Sequence, residues 1–297
     1  MDDIVFVGDM SWDETFTVSH FPDPDEKVSA RGLIDGFGGV AANSAVAAVR
    51  AGAAVAFMGR VGQDDMSRQA DKHMRDHDIR TMLVRADGML CRVVSIVEPH
   101  GEKRLVLYPG VSIYPEPEDL SSLSLEGSFH LHTAIYGPAG RPLIEMAKKA
   151  DLSWSLDLEP ATFPEGIEQL DYAIDGASVL FVNDRAAALI GEAPVARLEA
   201  MGAHSVVRTR GPLGAEYHAA GTVTHIPAPE GLPVRDTTGA GDCLAGWFLA
   251  GLSRGVCPAV ALEDAVLAAT LSCGAKGAQT AYPTLKQLNH EKEKRAK

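Results

Sequence analysis

The sequence predicts an α/β fold: a central, mostly parallel sheet between layers of helices, with a small β-layer attached. Two observations predict it. Short β-rich apolar runs alternate with helical patterns along most of the 297 residues, and strand–helix–strand repetition implies a parallel sheet covered on both faces. Apolar residues make up 46% of the chain and charged residues 23%, enough to bury the core of one large domain. The expectation is a single unit over 1–297, with the β-layer built from segments at about 15–35 and 90–109.

Ile4–Val7 reads as the first strand, and further strands are predicted at Val55–Val61, Phe129–His132, Trp154–Leu158, Val179–Val182 and Ser205–Arg210. Helical patterns occupy Asn43–Ala51, Met66–His77, Arg141–Ala150, Asp184–Ile190 and Val195–Met201. An antiparallel patch follows, Ala215–His218 and Thr222–Pro227 around Ala220-Gly221, then two long helices near Ala240–Leu252 and Val260–Cys273. Two stretches break the rhythm. Thr15–Leu33 carries Pro22 and Pro24, and Cys91–Tyr108 reads as a hairpin around Pro99-His100-Gly101-Glu102. Neither has a helix of its own. Together they form either a lid over the strand C-termini, where open α/β sheets bind ligands, or an ordinary surface hairpin.

Composition excludes several functions. Lys and Arg number 27 against 40 Asp and Glu, a net charge of −13, which argues against a surface built for nucleic acid or anionic membrane. No apolar stretch approaches the roughly 20 residues of a bilayer span. The opening Met1-Asp2-Asp3 is unlike a signal peptide. Cys91, Cys243, Cys257 and Cys273 are widely spaced with no CxxC pair, so neither a zinc site nor a disulfide framework is expected. The expected location is the cytoplasm, with reduced thiols. The basic residues Lys292, Lys294, Arg295 and Lys297 read as a solvated helix end or tail.

Asp236-Thr237-Thr238-Gly239-Ala240-Gly241-Asp242 leads directly into an apolar helix. Small residues there leave backbone N–H groups exposed at the positive end of the helix dipole, an anion site suited to a phosphoryl group. An Asp in that first turn would repel the anion unless it is the base that takes a proton from an attacking hydroxyl. The other reading of Asp242 is a carboxylate that merely interacts with the dipole. Gly36-Phe37-Gly38-Gly39-Val40-Ala41-Ala42-Asn43 precedes an Ala-rich helix; its glycines let a ligand approach the backbone, and Asn43 is able to donate to and accept from sugar hydroxyls. Gly36-x-Gly38-x-x-Ala41 also imitates a dinucleotide fingerprint, but it follows the β-layer and no acidic residue ends the next strand, Ala56–Val61.

In combination these segments resemble the PfkB/ribokinase-like carbohydrate kinases. Gly38-Gly39-Val40-Ala41-Ala42-Asn43-Ser44-Ala45, with Gly52 and Gly62, is similar to the family's N-terminal signature, and Asp236–Asp242 with Gly246 to its C-terminal one. Asp9-Met10-Ser11-Trp12-Asp13 is similar to its sugar-binding segment, and the likeness runs from the first strand to Pro283-Thr284. The resemblance implies a ribokinase-like fold with a β-lid, and ATP-dependent phosphorylation of a sugar hydroxyl. It makes Asp242 the base and the backbone of Gly239, Ala240 and Gly241 the anion hole, and it gives the sugar to Asp13, Gly38, Gly39 and Asn43. Asn183, Thr209, Gly211 and Gly214 would hold the nucleotide, with Gly274 and Gly277 in the loop around adenine. Asp236 and Thr238 would help to hold a monovalent cation such as K⁺. A homodimer through the lid is also implied.

The sequence departs from the family at Asn183-Asp184-Arg185-Ala186, where NxxE is common: Ala186 stands at the Glu that helps arrange Mg²⁺, with Asp184 as the nearby carboxylate. Trp247, where a small residue commonly follows the glycine, reads as core. For the substrate, Arg92 and Arg104 on the lid strands would pair with an anionic group if they face inward, and Tyr108, His132, Tyr136 and Arg141 lie near strand ends. Neutral ketoses and pentoses, keto-deoxy sugar acids, sugar phosphates, sulfosugars and nucleosides all stay open. The rivals from other classes are a non-catalytic sugar or nucleotide sensor on the same fold and a nicotinamide-dependent oxidoreductase.

Overall fold

A computed structural model describes residues 3–134 and 137–296. In chain order the strands are β1 (Ile4–Val7), β2 (Ser11–Thr17), β3 (Gly32–Gly38), β4 (Val55–Val61), β5 (Arg80–Arg85), β6 (Cys91–Val97), β7 (Lys103–Tyr108), β8 (His130–Thr133), β9 (Trp154–Leu158), β10 (Val179–Asn183), β11 (Ser205–Thr209), β12 (Ala215–Ala219) and β13 (Thr222–Ile226). The helices are α1 (Val40–Arg50), α2 (Asp65–Asp76), α3 (Gly140–Lys149), α4 (Asp171–Ile174), α5 (Asp184–Ile190), α6 (Pro194–Ala200), α7 (Ala240–Ser253), α8 (Pro258–Ser272) and α9 (Leu285–Arg295). Alternation of β and α patterns thus produces the expected layers, while β5, α4 and α9 are additions to the sequence reading. The α9 segment is a capped helix rather than a tail: Thr284 accepts from the Gln287 N–H and Gln287 reaches back to the Thr284 N–H.

The main sheet has nine strands in the order β13-β12-β11-β10-β9-β8-β1-β4-β5, parallel except for β12 and β13. Its strands read as continuous apolar runs because both faces are covered. Ile4 and Phe6 pack with α1, α7 and α8 on one face, and Val5 and Val7 pack with α3 on the other. Val179 and Phe181 divide from Leu180 and Val182 in the same way. Trp247 is 1% exposed and belongs to the first of these cores. Burial of each such large side chain contributes roughly 1.5–3 kcal/mol.

A second sheet of four strands, β3-β2-β6-β7, leaves the main body. It begins at Ser11, so Asp13 lies on this sheet itself rather than in a loop before it. Between β1 and β8 the strand order reverses direction in the chain, and open α/β sheets bind ligands beside such a point, at the strand C-termini. Residue Asp9 follows β1 there.

Candidate active site

Two helix N-termini meet at this place. Helix α1 begins after Gly38-Gly39, and Asp9 caps it: its Oδ2 accepts from the Val40 N–H and its Oδ1 from the Ala41 N–H, each at 3.0 Å. Burial pushes the Asp9 carboxyl up to about 6 against those two hydrogen bonds. Helix α7 begins at Gly239, whose φ is +73°. A side chain there would collide with the Tyr282 hydroxyl, which donates to the Gly239 carbonyl at 2.9 Å. No side chain caps α7, and Asp242 sits in its first turn.

The loop leading into α7 is a wall shared by two cavities. Thr237, Ala240 and Gly241 line a cavity of about 910 Å³, with Asn183, Thr209, Gly211 and Gly214. Arg185 and Arg210 supply positive charge there, and Leu232, Leu244 and Val266 supply an apolar end. Asp236 and Thr238 instead line a smaller cavity of about 300 Å³, together with Asp13, Phe37, Val93, Ser95 and Lys103 from the lid sheet. The two long signatures, almost 200 residues apart in sequence, are joined by a hydrogen bond, Asn43 Nδ2 donating to Asp242 Oδ2 at 2.7 Å, and neither residue lines either cavity.

Asp242 is pushed up to about 8, chiefly by burial, against the Asn43 hydrogen bond and with the charges of Glu159, Asp9 and Asp13 adding to the rise. Asp13 is raised by burial, although Ser11 donates to it at 2.6 Å and Lys103 opposes the shift. Gly38 is required beside it, because a Cβ on Gly38 would stand 2.3 Å from an Asp13 carboxylate oxygen. Asp157 and Glu159 follow one another at the end of β9; both are raised, first by burial. Neither carboxylate figured in the sequence reading. The signal available was Asp157-Leu158-Glu159-Pro160 at the C-terminal end of a predicted strand, the usual edge for site residues in such sheets.

Several other expected residues have different places. Arg92 and Arg104 alternate with the cavity-lining positions Val93, Ser95, Lys103 and Leu105, so they project from the opposite face of the lid. There the Arg104 guanidinium lies 3.9 Å over the Phe21 ring, and Arg92 Nε is buried without a partner. Lys103 is the lid cation that faces the smaller cavity. Gly277 lines the smaller cavity and donates to Asp236 Oδ2 at 2.9 Å, and Gly274 lines neither cavity. Asp236 Oδ1 accepts from both the Thr238 N–H and hydroxyl, so Asp236 ties its own loop to the 277 loop. Both its oxygens are thereby engaged within the protein. His132 is fully buried in the core beside Phe6 and Phe181, and burial pushes its imidazole down to about 3. Arg141 stacks over Tyr172, Tyr108 is exposed on the lid edge, and Tyr136 lies outside the described residues.

For Mg²⁺ the oxygen donors present are of the right hard type. Asp184 is paired with Arg208 at 2.9 Å, and Ala186 is fully buried and offers none. Glu159 accepts from Asn183 Nδ2 at 3.3 Å and is the carboxylate beside Asn183, which lines the larger cavity. Among the described residues no group of three or more His, Cys, Asp or Glu forms a metal cage.

The family model for pfkB family carbohydrate kinases matches residues 1–285. The chain is similar to the aminoimidazole riboside kinase of Salmonella typhimurium, 30% identical over 276 residues, covering 85% of this chain and 86% of that one. It is 28% identical over 270 residues to the 2-dehydro-3-deoxygluconokinase of Thermoproteus tenax, covering 83% of this chain and 82% of that one. Among solved structures, a ribokinase from Cryptococcus neoformans in complex with ADP superposes with a TM-score of 0.79 at 26% identity, over 98% of this chain and all of that one. With the two signatures joined at Asn43 and Asp242 on a ribokinase fold, the chain belongs to the pfkB family of carbohydrate kinases.

Proposed function

We propose that Asp242 is the general base of an ATP-dependent kinase acting on a neutral monosaccharide or similar polyhydroxylated substrate. The observation that carries this reading is the shared loop: Thr237, Ala240 and Gly241 line the larger cavity and Asp236 and Thr238 the smaller one, and Asp242 at the same helix start is held by Asn43. The nucleotide occupies the larger cavity, its adenine toward Leu232 and Val266 and its phosphates toward Gly211, Gly214 and the start of α7. The sugar occupies the smaller cavity, held by Asp13 and by the backbone at Gly38 and Gly39. Asp242 takes the proton of the bound hydroxyl as its oxygen bonds to the γ-phosphorus and the bond to the β-phosphate oxygen breaks, releasing ADP. The Gly239, Ala240 and Gly241 amides take up the charge that develops. Mg²⁺ bound with the nucleotide neutralises phosphate charge, and Glu159 and Asn183 are the residues that would face it.

The neutral substrate follows from charge. Asp13, Asp35 and Asp236 line the smaller cavity against Lys103 as its lysine. A sugar carboxylate or phosphate would enter a field of its own sign. A homodimer through the lid belongs to the same reading: β7 is an edge strand with Leu105, Val106, Leu107 and Tyr108 all more than half exposed. The location proposed is the cytoplasm, where ATP is supplied; no described helix is long and apolar enough to cross a membrane. Coupled ADP release over a panel of neutral and anionic sugars tests the reading. Turnover on neutral sugars is expected, and turnover confined to anionic ones would overturn the charge argument.

A further inference from the structure

From the structure we infer that His73, on α2, is a positioning residue for Asp242, acting through Gln279 and Asn43. The inference rests on Asp242 being the base. Three hydrogen bonds join the four side chains: His73 Nε2 to Gln279 Oε1 at 2.6 Å, Gln279 Nε2 to Asn43 Oδ1 at 2.9 Å, and Asn43 Nδ2 to Asp242 Oδ2 at 2.7 Å. Asn43 and Gln279 are 6% and 3% exposed, so water does not substitute for either partner.

The direction of the chain is fixed by its end. An ionised carboxylate only accepts, so Asn43 must turn its NH₂ to Asp242 and its oxygen to Gln279. Gln279 must then turn its NH₂ to Asn43 and its oxygen to His73. The last acceptor, Gln279 Oε1, requires a proton on His73 Nε2. Without a donor at His73, Gln279 Oε1 loses its partner, the Gln279 amide is free to present either end to Asn43, and the hold on Asn43 weakens. The consequence falls on the base: one oxygen of Asp242 is held, and the other has no protein partner among the described residues and is left for the substrate hydroxyl.

The surroundings keep His73 suited to this role. Phe37 from β3 packs on its ring at 4.7 Å between centroids, and burial holds the imidazole below its ordinary range. The charged and titratable groups around it are His77 and Asp76 beside it, Arg50 from α1 and, across the smaller cavity that His73 itself lines, Asp13, Asp35, Lys103 and Asp236. His77 in turn donates from Nδ1 to the His73 carbonyl at 2.9 Å and accepts from Arg50. Asp242 is faced by Asn43, Asp9, Asp13, Asp157, Glu159 and Tyr282.

The test compares His73→Phe, which keeps a ring and loses the donor, with His73→Gln, which keeps a donor near the place of Nε2. His73→Phe is expected to lower kcat about tenfold with the ATP KM unchanged, and to move the acid limb of kcat/KM upward by about one pH unit. His73→Gln is expected to stay within about twofold on both measures. A wild-type kcat and acid limb in His73→Phe would overturn the inference. If that variant does not fold, Gln279→Met breaks the same chain isosterically and is read in the same way. Nitrogen-15 NMR of the wild-type histidine rings gives a readout independent of turnover: the Nε2–H tautomer is expected for His73, and the Nδ1–H tautomer would overturn the chain. Full turnover in Asp242→Asn would remove the base assignment while leaving the tautomer result to stand or fall alone.

Discussion

Helices α1 and α7 start alike and end up doing opposite things. Each follows a glycine with positive φ, and neither has a side-chain cap at its N-cap residue. At α1 the protein closes the end itself, with both Asp9 oxygens on the first free amides. At α7 no side chain claims the helix start, Ala240 and Gly241 line the larger cavity with the Ala240 N–H on the Thr237 carbonyl, and the acidic residue has moved inside the first turn, where it accepts from Asn43 of α1. The lesson is that a glycine-led helix start is an anion site only where no carboxylate of the chain has already claimed it. One end became scaffold and the other became chemistry.

The most severe way to break this difference is Asp242→Asn, which keeps the shape and removes the base. Turnover is expected to fall at least about a hundredfold, with little loss of sugar affinity, in steady-state kinetics. The wild type carries a pH signature with it. Asp242 is raised to about 8 and Asp9 to about 6, so the folded chain binds these protons more tightly than the unfolded one. Stability from them is present below the ordinary carboxylate range and is lost as pH rises to about 8. The melting temperature of the free enzyme should therefore fall over that window, and Asp242→Asn should flatten most of the fall. In kinetics kcat/KM should rise with pH up to about 8, as the base loses its proton.

Gly38→Ala probes the α1 side. Its Cβ would displace the Asp13 carboxylate, and the sugar KM is expected to rise about tenfold with the ATP KM unchanged. An unchanged sugar KM would take Asp13 out of the sugar site. Asp9→Asn sharpens the scaffold half of the comparison, since an amide accepts at one oxygen only and turns an NH₂ toward the other helix amide. A stability loss of about 1–3 kcal/mol is expected by denaturant titration, with the larger effect on folding and not on kcat. The smallest expected change is Arg104→Gln, on the face of the lid away from the cavity. Its sugar KM should move less than about twofold, and a larger change would return Arg104 to substrate selection.

Much of this was legible before any coordinates. Ile4–Val7, Val55–Val61 and Trp154–Leu158 begin and end where the sequence reading puts them, because strands covered on both faces are mostly apolar, with Ser155 and Asp157 as buried polar exceptions in the last. Asp242, Asn43 and the glycines around them were legible as local chemistry, since a turn, a helix start and a carboxylate are close in sequence. Arg92 and Arg104 went the other way. Their residue type was visible on the lid strands, but which face they occupy depends on register, and one residue decides between Arg104 and Lys103.

What the sequence determined by itself is whatever is local: periodicity, helix starts, the order of the two signatures and the family they mark. Only the tertiary structure decided which carboxylate closes which helix, that Glu159 stands beside Asn183 where Ala186 offers no acid, and that His73 and Gln279, 206 residues apart, end in one hydrogen-bond chain on the base. The reason is physical. A hydrogen bond or a field between two side chains depends on the distance between them in space, and a linear pattern carries no trace of that distance once strands of both sheets and six helices have folded between them.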